Sequence, residues 1–266
     1  GTALHHALDH LFDKLPTQEA LQSLGHDERS SLCYSAADIA VGYLRRVKKA
    51  LMMPTFLQIE KERTAELLIK FLKDANGEAG RLPYSIEEKE KEHHWSFGDL
   101  QFSYKLDRVD KLDNEALAIV DYKTGKFAPS STNLLADRPE NLQIQFYFTA
   151  MSSLQSAPIG AISWVHINPA KIEYKGLSSE ENFHVRIKGN SNPDKAQLSW
   201  SELSDLFPSQ ITRFTEEFKS GLLTVDPVDP STSCRYCGLH GLCRIRELNE
   251  TGAARSANTS DGELYE

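Results

Sequence analysis

Residues 106–123 read LDRVDKLDNEALAIVDYK, and their pattern predicts a β-hairpin. Phe102, Tyr104 and Leu106 alternate with Ser103 and Lys105, the period of two that marks a half-buried strand. Asp113-Asn114 suits the turn. Ala116 to Val120 is an unbroken apolar run of strand length, as expected of a strand buried on both faces. Positions 107 and 121 are equidistant from 114. A hairpin folding there sets Asp107 opposite Asp121, with Cβ atoms roughly 5 Å apart. Lys123 shares the face of Asp121, and Tyr122 points away. Opposed like charges destabilise a sheet unless something compensates them. A divalent cation is the natural compensation.

The chain around this hairpin has 266 residues, 40% hydrophobic and 26% charged. These values are ordinary for a globular protein. No apolar run approaches the roughly 20 residues of a membrane span, and the start does not read as a signal peptide. A cytoplasmic location is expected. The chain lacks an initiator Met and opens directly on a helix, as an excised domain of something longer would. The net charge of -8 argues against a broad basic surface whose main task is gripping a phosphate backbone. The local run Arg45, Arg46, Lys48, Lys49 is either a backbone contact or a solvated helix face.

Outward from the hairpin, the periodicity predicts helices over Gly1 to Asp13, Thr17 to Leu24, Ser35 to Lys49, and onward from Pro54, which is well placed to open one. Residues 82–92 suit an exposed strand, and the hairpin strands cover about 97–112 and 115–123. Residues 126–137 form a loop, and Pro139 to Leu154 a helix. Ile159 to Ile167 and Lys171 to Tyr174 pair across Asn168-Pro169. Phe183 to Lys188 extends that sheet, and Asn190 to Pro193 is a turn. Ser199 to Ser220 is the last long helix, with Pro208 as a candidate kink. The fold class is α/β: a central mixed sheet of about five strands flanked by helices, plus a helical N-terminal region. A single domain covers residues 1–248. Within it, residues 1–80 are the helical region, 81–190 the sheet core, and 199–248 the C-terminal helix and cysteine segment. Residues 249–266 read as a disordered tail.

An Asp-x-Lys triplet alone carries little weight in so charged a chain. Here it ends an apolar strand, faces a second Asp, and is followed by Thr124-Gly125. GTALHH, KLDRVD, IVDYKTG and QIQFY occur in this order. As a set they resemble the PD-(D/E)xK nuclease superfamily, specifically the branch containing the nuclease domains of RecB and AddB. The resemblance implies a restriction-endonuclease-like core and a metal-dependent DNA nuclease, expected to be an exonuclease, within a larger repair or recombination protein beside a helicase-like region. It implies that His5, Asp107 and Asp121 are ligands of Mg²⁺ or Mn²⁺, joined by the backbone carbonyl of Tyr122. Lys123 would orient the attacking water or stabilise charge on the phosphate. Gln143 and Tyr147 would line the nucleic-acid path, and they lie four apart on one helix face. Tyr104 stands where the family strand has Gly, so it either narrows the approach to the metal or packs. His6 beside His5 is the competing histidine; the spacing from Gly1 favours His5.

The chain has four cysteines. Cys234, Cys237 and Cys243 form a Cys-x2-Cys-x5-Cys run, which favours a metal or cluster over a disulfide framework. The resembling branch carries a [4Fe–4S] cluster on such a triplet with a fourth cysteine near the start, and Cys33 is the candidate here. Three readings stand: a cluster on all four, a cluster site left incomplete, and Zn²⁺ with His240 as fourth ligand. Two non-enzymatic readings compete with the nuclease. One is a DNA-binding scaffold that has lost catalysis; the other is a zinc- or cluster-stabilised interaction module.

Overall fold

The computed structural model describes residues 1–47, 53–125, 134–139, 141–179, 183–185, 187, 198–222 and 224–244. Helix α1 (Thr2–Lys14) buries Ala7, Leu8, Leu11 and Phe12, a single stripe at helical spacing. Next come α2 (Gln18–Ser23), α3 (His26–Val47) and α4 (Pro54–Lys73). Helix α3 begins nine residues earlier than its apolar periodicity suggests. The Glu28 carboxylate accepts the Gly25 N–H at 3.0 Å, and Asp27 and Glu28 place negative charge in the first turn. A polar first turn of this kind carries no apolar stripe to read.

Five strands follow: β1 (Tyr84–Phe97), β2 (Leu100–Leu112), β3 (Leu117–Lys123), β4 (Ile159–Asn168) and β5 (Lys171–Ser178), in the sheet order β1-β2-β3-β4-β5. Helix α5 (Gln143–Leu154) separates β3 from β4, which pair in parallel; the other neighbours are antiparallel. A parallel pair requires such a crossover. Helix α6 (Trp200–Lys219) opens on a capping box between Ser199 and Glu202 and runs through Pro208. The chain therefore has the mixed α/β architecture that its pattern implies.

Three expectations are corrected. The strand expected over 82–92 continues to Phe97 and turns at Gly98-Asp99, with Gly98 at φ +57°. Gly supplies that backbone without the penalty a Cβ brings. Phe183 to Lys188 does not extend the sheet among the described residues; His184 makes only isolated bridges, to Arg81 and Ile187. Helix α5 starts at Gln143 rather than Pro139, because the Asn141 side chain accepts the Gln143 N–H at 2.8 Å and ends the preceding turn. Residues 126–133 of the loop expected over 126–137, the turn at Asn190 to Pro193 and the tail lie outside the described residues.

The sheet carries apolar side chains on both faces. Ala118, Val120, Tyr122 and Val165 pack with Leu8, Leu11, Phe12, Leu68 and Phe71 from the N-terminal helices. Leu117, Ile119, Ile162 and Trp164 pack with Phe148, Met151 and Phe207 from α5 and α6. All but the last residue of β3 are buried, as a strand covered by helices on both sides must be. Among the described residues no helix is long and apolar enough to cross a membrane.

Candidate metal centre

The β2–β3 register pairs Arg108 with Val120, Val109 with Ile119 and Lys111 with Leu117. One step further along that register, Asp107 meets Asp121. The turn is a four-residue loop, with Glu115 at φ +67° and the Asn114 side chain accepting the Ala116 N–H at 3.1 Å. Strand β2 changes faces at Asp107. Leu106 packs in the core beneath α5, while Arg108, two residues on, lies over the Phe12 ring on the opposite side. A regular strand would keep both on one face. The switch leaves Asp107 at the seam between the two helical layers. It reaches His5 on one side with Oδ1, at 3.2 Å, and accepts the Tyr122 backbone N–H at 2.7 Å with Oδ2.

Across the β1–β2 hairpin lies a residue that the sequence pattern did not single out. Lys89 pairs with Arg108 and Lys91 with Leu106, so Glu90 stands opposite Asp107. Its backbone is left-handed, φ +46°, in the middle of a strand. A non-glycine residue held there costs on the order of 1–3 kcal/mol and needs its surroundings to enforce it. Glu90 Oε1 lies 3.7 Å from His5 Nδ1, and Lys105 pairs with its other oxygen. One donor atom from each of His5, Glu90 and Asp107 falls within 4.8 Å of the others. Helix α1 is held over this group by Lys89, whose ammonium meets Asp9 and Asp13.

Asp121 belongs to a second, adjoining chain of contacts. Its Oδ2 is 2.7 Å from Lys123 Nζ, which donates to Gln143 Oε1 at 2.7 Å. Gln143 Nε2 donates to the Tyr147 hydroxyl at 2.9 Å, and that hydroxyl reaches the Lys105 carbonyl at 3.2 Å. The structure thus gathers His5, Asp107 and Glu90 on one side and Asp121, Lys123, Gln143 and Tyr147 on the other. Tyr122 turns its ring away onto Phe12, in a parallel stack. His6 faces Tyr43 rather than the carboxylates. Tyr104 packs, stacked between His93 and Tyr147.

The electrostatics suit a cation. Burial pushes the Asp121 carboxyl up to about 6 against the pull of Lys123, with Asp107 adding to the rise. Burial would lower His5, but hydrogen bonds and charge from Asp107 and Glu90 prevail and raise it to about 9. Glu90 is held down at about 2: burial works the other way, and the hydrogen bonds of His5 and Lys105 outweigh it. A metal ion would replace the proton on His5 and relieve the opposition of the carboxylates. One His with carboxylate oxygens is a donor set for Mg²⁺ or Mn²⁺.

The cysteines do not converge on this centre. Cys33 is fully enclosed in the core of α1, α3 and α4, and burial pushes its thiol up to about 12. Such surroundings keep the metal-free thiol neutral and packed as a small apolar side chain. Cys237 is exposed, and Cys234 and Cys243 partly so. Among the described residues no three of the four sulfurs lie within 4.8 Å of one another. The Leu239 N–H points at Cys237 Sγ, 3.4 Å away.

A family model described as the PD-(D/E)XK nuclease superfamily matches residues 1–244. The chain belongs to that superfamily, whose members are generally metal-dependent nucleases acting on DNA. No curated protein matches the chain. Among solved structures, one titled "Crystal structure of SSO0001" is similar at 16% identity and a TM-score of 0.30, covering 89% of this chain and 94% of that one.

Proposed function

We propose that this chain is a RecB/AddB-like nuclease domain that hydrolyses DNA phosphodiesters with Mg²⁺ or Mn²⁺, and that it works as an exonuclease within a larger repair or recombination protein beside a helicase-like region. The observation that carries the reading is the gathering of His5, Glu90 and Asp107 donors within 4.8 Å, one strand from the Asp121–Lys123 pair. The site lies where parallel strand β3 ends, the place at which open α/β sheets hold ligands.

His5, Asp107 and Asp121, with the carbonyl of Tyr122, hold the ion in this reading, and Glu90 joins them as a third carboxylate. When bound, the ion would polarise a phosphate oxygen and acidify a water. The protein's own groups do the rest. Lys123 sets a positive charge where negative charge develops on the phosphate. Gln143 holds the Lys123 ammonium by its carbonyl oxygen, and Tyr147 holds Gln143. The three C-terminal thiols serve in this reading as donors for a [4Fe–4S] cluster or Zn²⁺.

Incubation with single- and double-stranded DNA, with and without Mg²⁺ or Mn²⁺, tests the proposal. Wild type should cut only with the divalent ion, and Lys123→Ala should cut at least about a hundredfold more slowly, as loss of a charge-stabilising donor does. Equal cutting by the two proteins, or none by wild type, would refute it.

A further inference from the structure

Besides its Asp121 partner, the residues that hold Lys123 form a chain in which every proton points one way. Lys123 donates to Gln143 Oε1, Gln143 Nε2 donates to the Tyr147 oxygen, and the Tyr147 hydroxyl donates to the Lys105 carbonyl. The amide of Gln143 works only in this orientation. Flipped, it would present NH₂ to an ammonium, two donors facing each other. What fixes the amide is the Tyr147 oxygen, and what fixes that oxygen is the tilt of its ring.

The Tyr147 ring is held by Tyr104. The two stack with centroids 5.8 Å apart and planes 30° apart. Behind Tyr104 lies His93, stacked at 5.3 Å and 17°, with its Nε2 2.8 Å from Glu88. Phe146 closes the edge of Tyr104 at 5.3 Å and 89°. His93, Tyr104 and Tyr147 are each 9% exposed. The Tyr104 hydroxyl is enclosed and meets no hydrogen-bond partner among the described residues. The contribution of Tyr104 to this row is therefore its ring and not its oxygen.

We propose that Tyr104 is a positioning residue for Lys123, acting through the ring of Tyr147 and the amide of Gln143. The proposal rests on the reading of Lys123 as a member of the nuclease site. It goes beyond that reading in assigning a side chain from β2, which reaches the lysine through Tyr147 and Gln143, control over the lysine's direction.

The test uses protein labelled with ¹⁵N at lysine Nζ, with the Lys123 ammonium signal assigned by its loss in Lys123→Ala. Two substitutions of Tyr104 keep apolar bulk without a ring, Tyr104→Leu and Tyr104→Met, so that at least one folds. Both should move the Lys123 signal toward its position in Gln143→Ala, while Tyr104→Phe should leave it in place. In the cutting assay Tyr104→Leu should lower kcat about tenfold with KM little changed, less than the roughly hundredfold cost of a full 1 Å misplacement because Lys123 keeps its charge and its Asp121 partner. Combined with Gln143→Ala, it should add almost nothing. A Lys123 signal unmoved in both ringless variants overturns the proposal, and so do additive losses. Absence of divalent-dependent cutting by wild type would instead refute the nuclease reading, and the ammonium signal would still decide the role of Tyr104.

Discussion

A histidine that faces two carboxylates holds a proton that a metal ion must displace, and His5 is in that position. Its folded-state pKa of about 9 lies above the ordinary 6.5. Charged His5 therefore stabilises the metal-free protein in full below about 6.5, and that contribution is lost as pH rises through about 9. Asp121 acts in a lower window. Its raised pKa means that ionising it costs stability as pH climbs from 3.8 to about 6. The two windows do not overlap, so they can be measured separately. Thermal unfolding in the presence of a chelator should show the midpoint falling between pH 6.5 and 9, and His5→Asn should lack that fall. A wild-type midpoint that is flat or rising over this range would mean that His5 is not paired as described.

At the scale of elements, β2 joins the site to a cluster of charges buried beneath it. Arg108 grips Asp110 with two hydrogen bonds, of 2.5 and 2.8 Å, and reaches Glu78 at 3.1 Å and the Tyr122 hydroxyl at 3.2 Å. Arg81 meets Asp110 at 2.8 Å. All four charges are buried, and the set is neutral overall. Neutrality makes the cluster tolerable, and removing one member does not. Arg108→Met should cost about 3–5 kcal/mol in urea titration, since it leaves two buried carboxylates, Glu78 and Asp110, to the single guanidinium of Arg81. Arg213→Ala, which breaks an exposed pair with Asp137, should cost no more than about 1 kcal/mol. Similar costs for both would show that the cluster is not as enclosed as its geometry implies.

These elements also explain what could be read from the residues alone. The β2–β3 hairpin is legible because its turn residues and apolar run mark the fold point, and simple reflection then pairs Asp107 with Asp121. The same reflection about Gly98-Asp99 pairs 90 with 107, and that symmetry is the signal that points to Glu90. The signal is faint because the charges of residues 82–92 hide any apolar alternation. The face switch at Asp107 leaves no trace in the pattern, because it depends on the buried acids that draw Arg108 to the other side. The destination of Cys33 is equally hidden, since a buried thiol and a ligand are the same letter.

At the scale of the whole molecule, the centre is a product of layering. Helix α1 brings His5 from one face of the sheet, and α5 brings Gln143 and Tyr147 from the other. The sheet meets both at the end of β3, beside the parallel neighbour β4. No single element contains the site, so it exists only when the fold is complete. The central claim is that His5, Asp107 and Glu90, with Asp121 alongside, hold a divalent ion. Titration calorimetry of the metal-free protein with Mn²⁺ at about pH 7.5 tests it directly, with Asp107→Asn beside wild type. The account predicts saturable binding by wild type, weakened at least about a hundredfold in Asp107→Asn, because losing a ligand exceeds the roughly tenfold-to-hundredfold loss caused by an outer-shell partner. Equal Mn²⁺ affinity in the two proteins would contradict it.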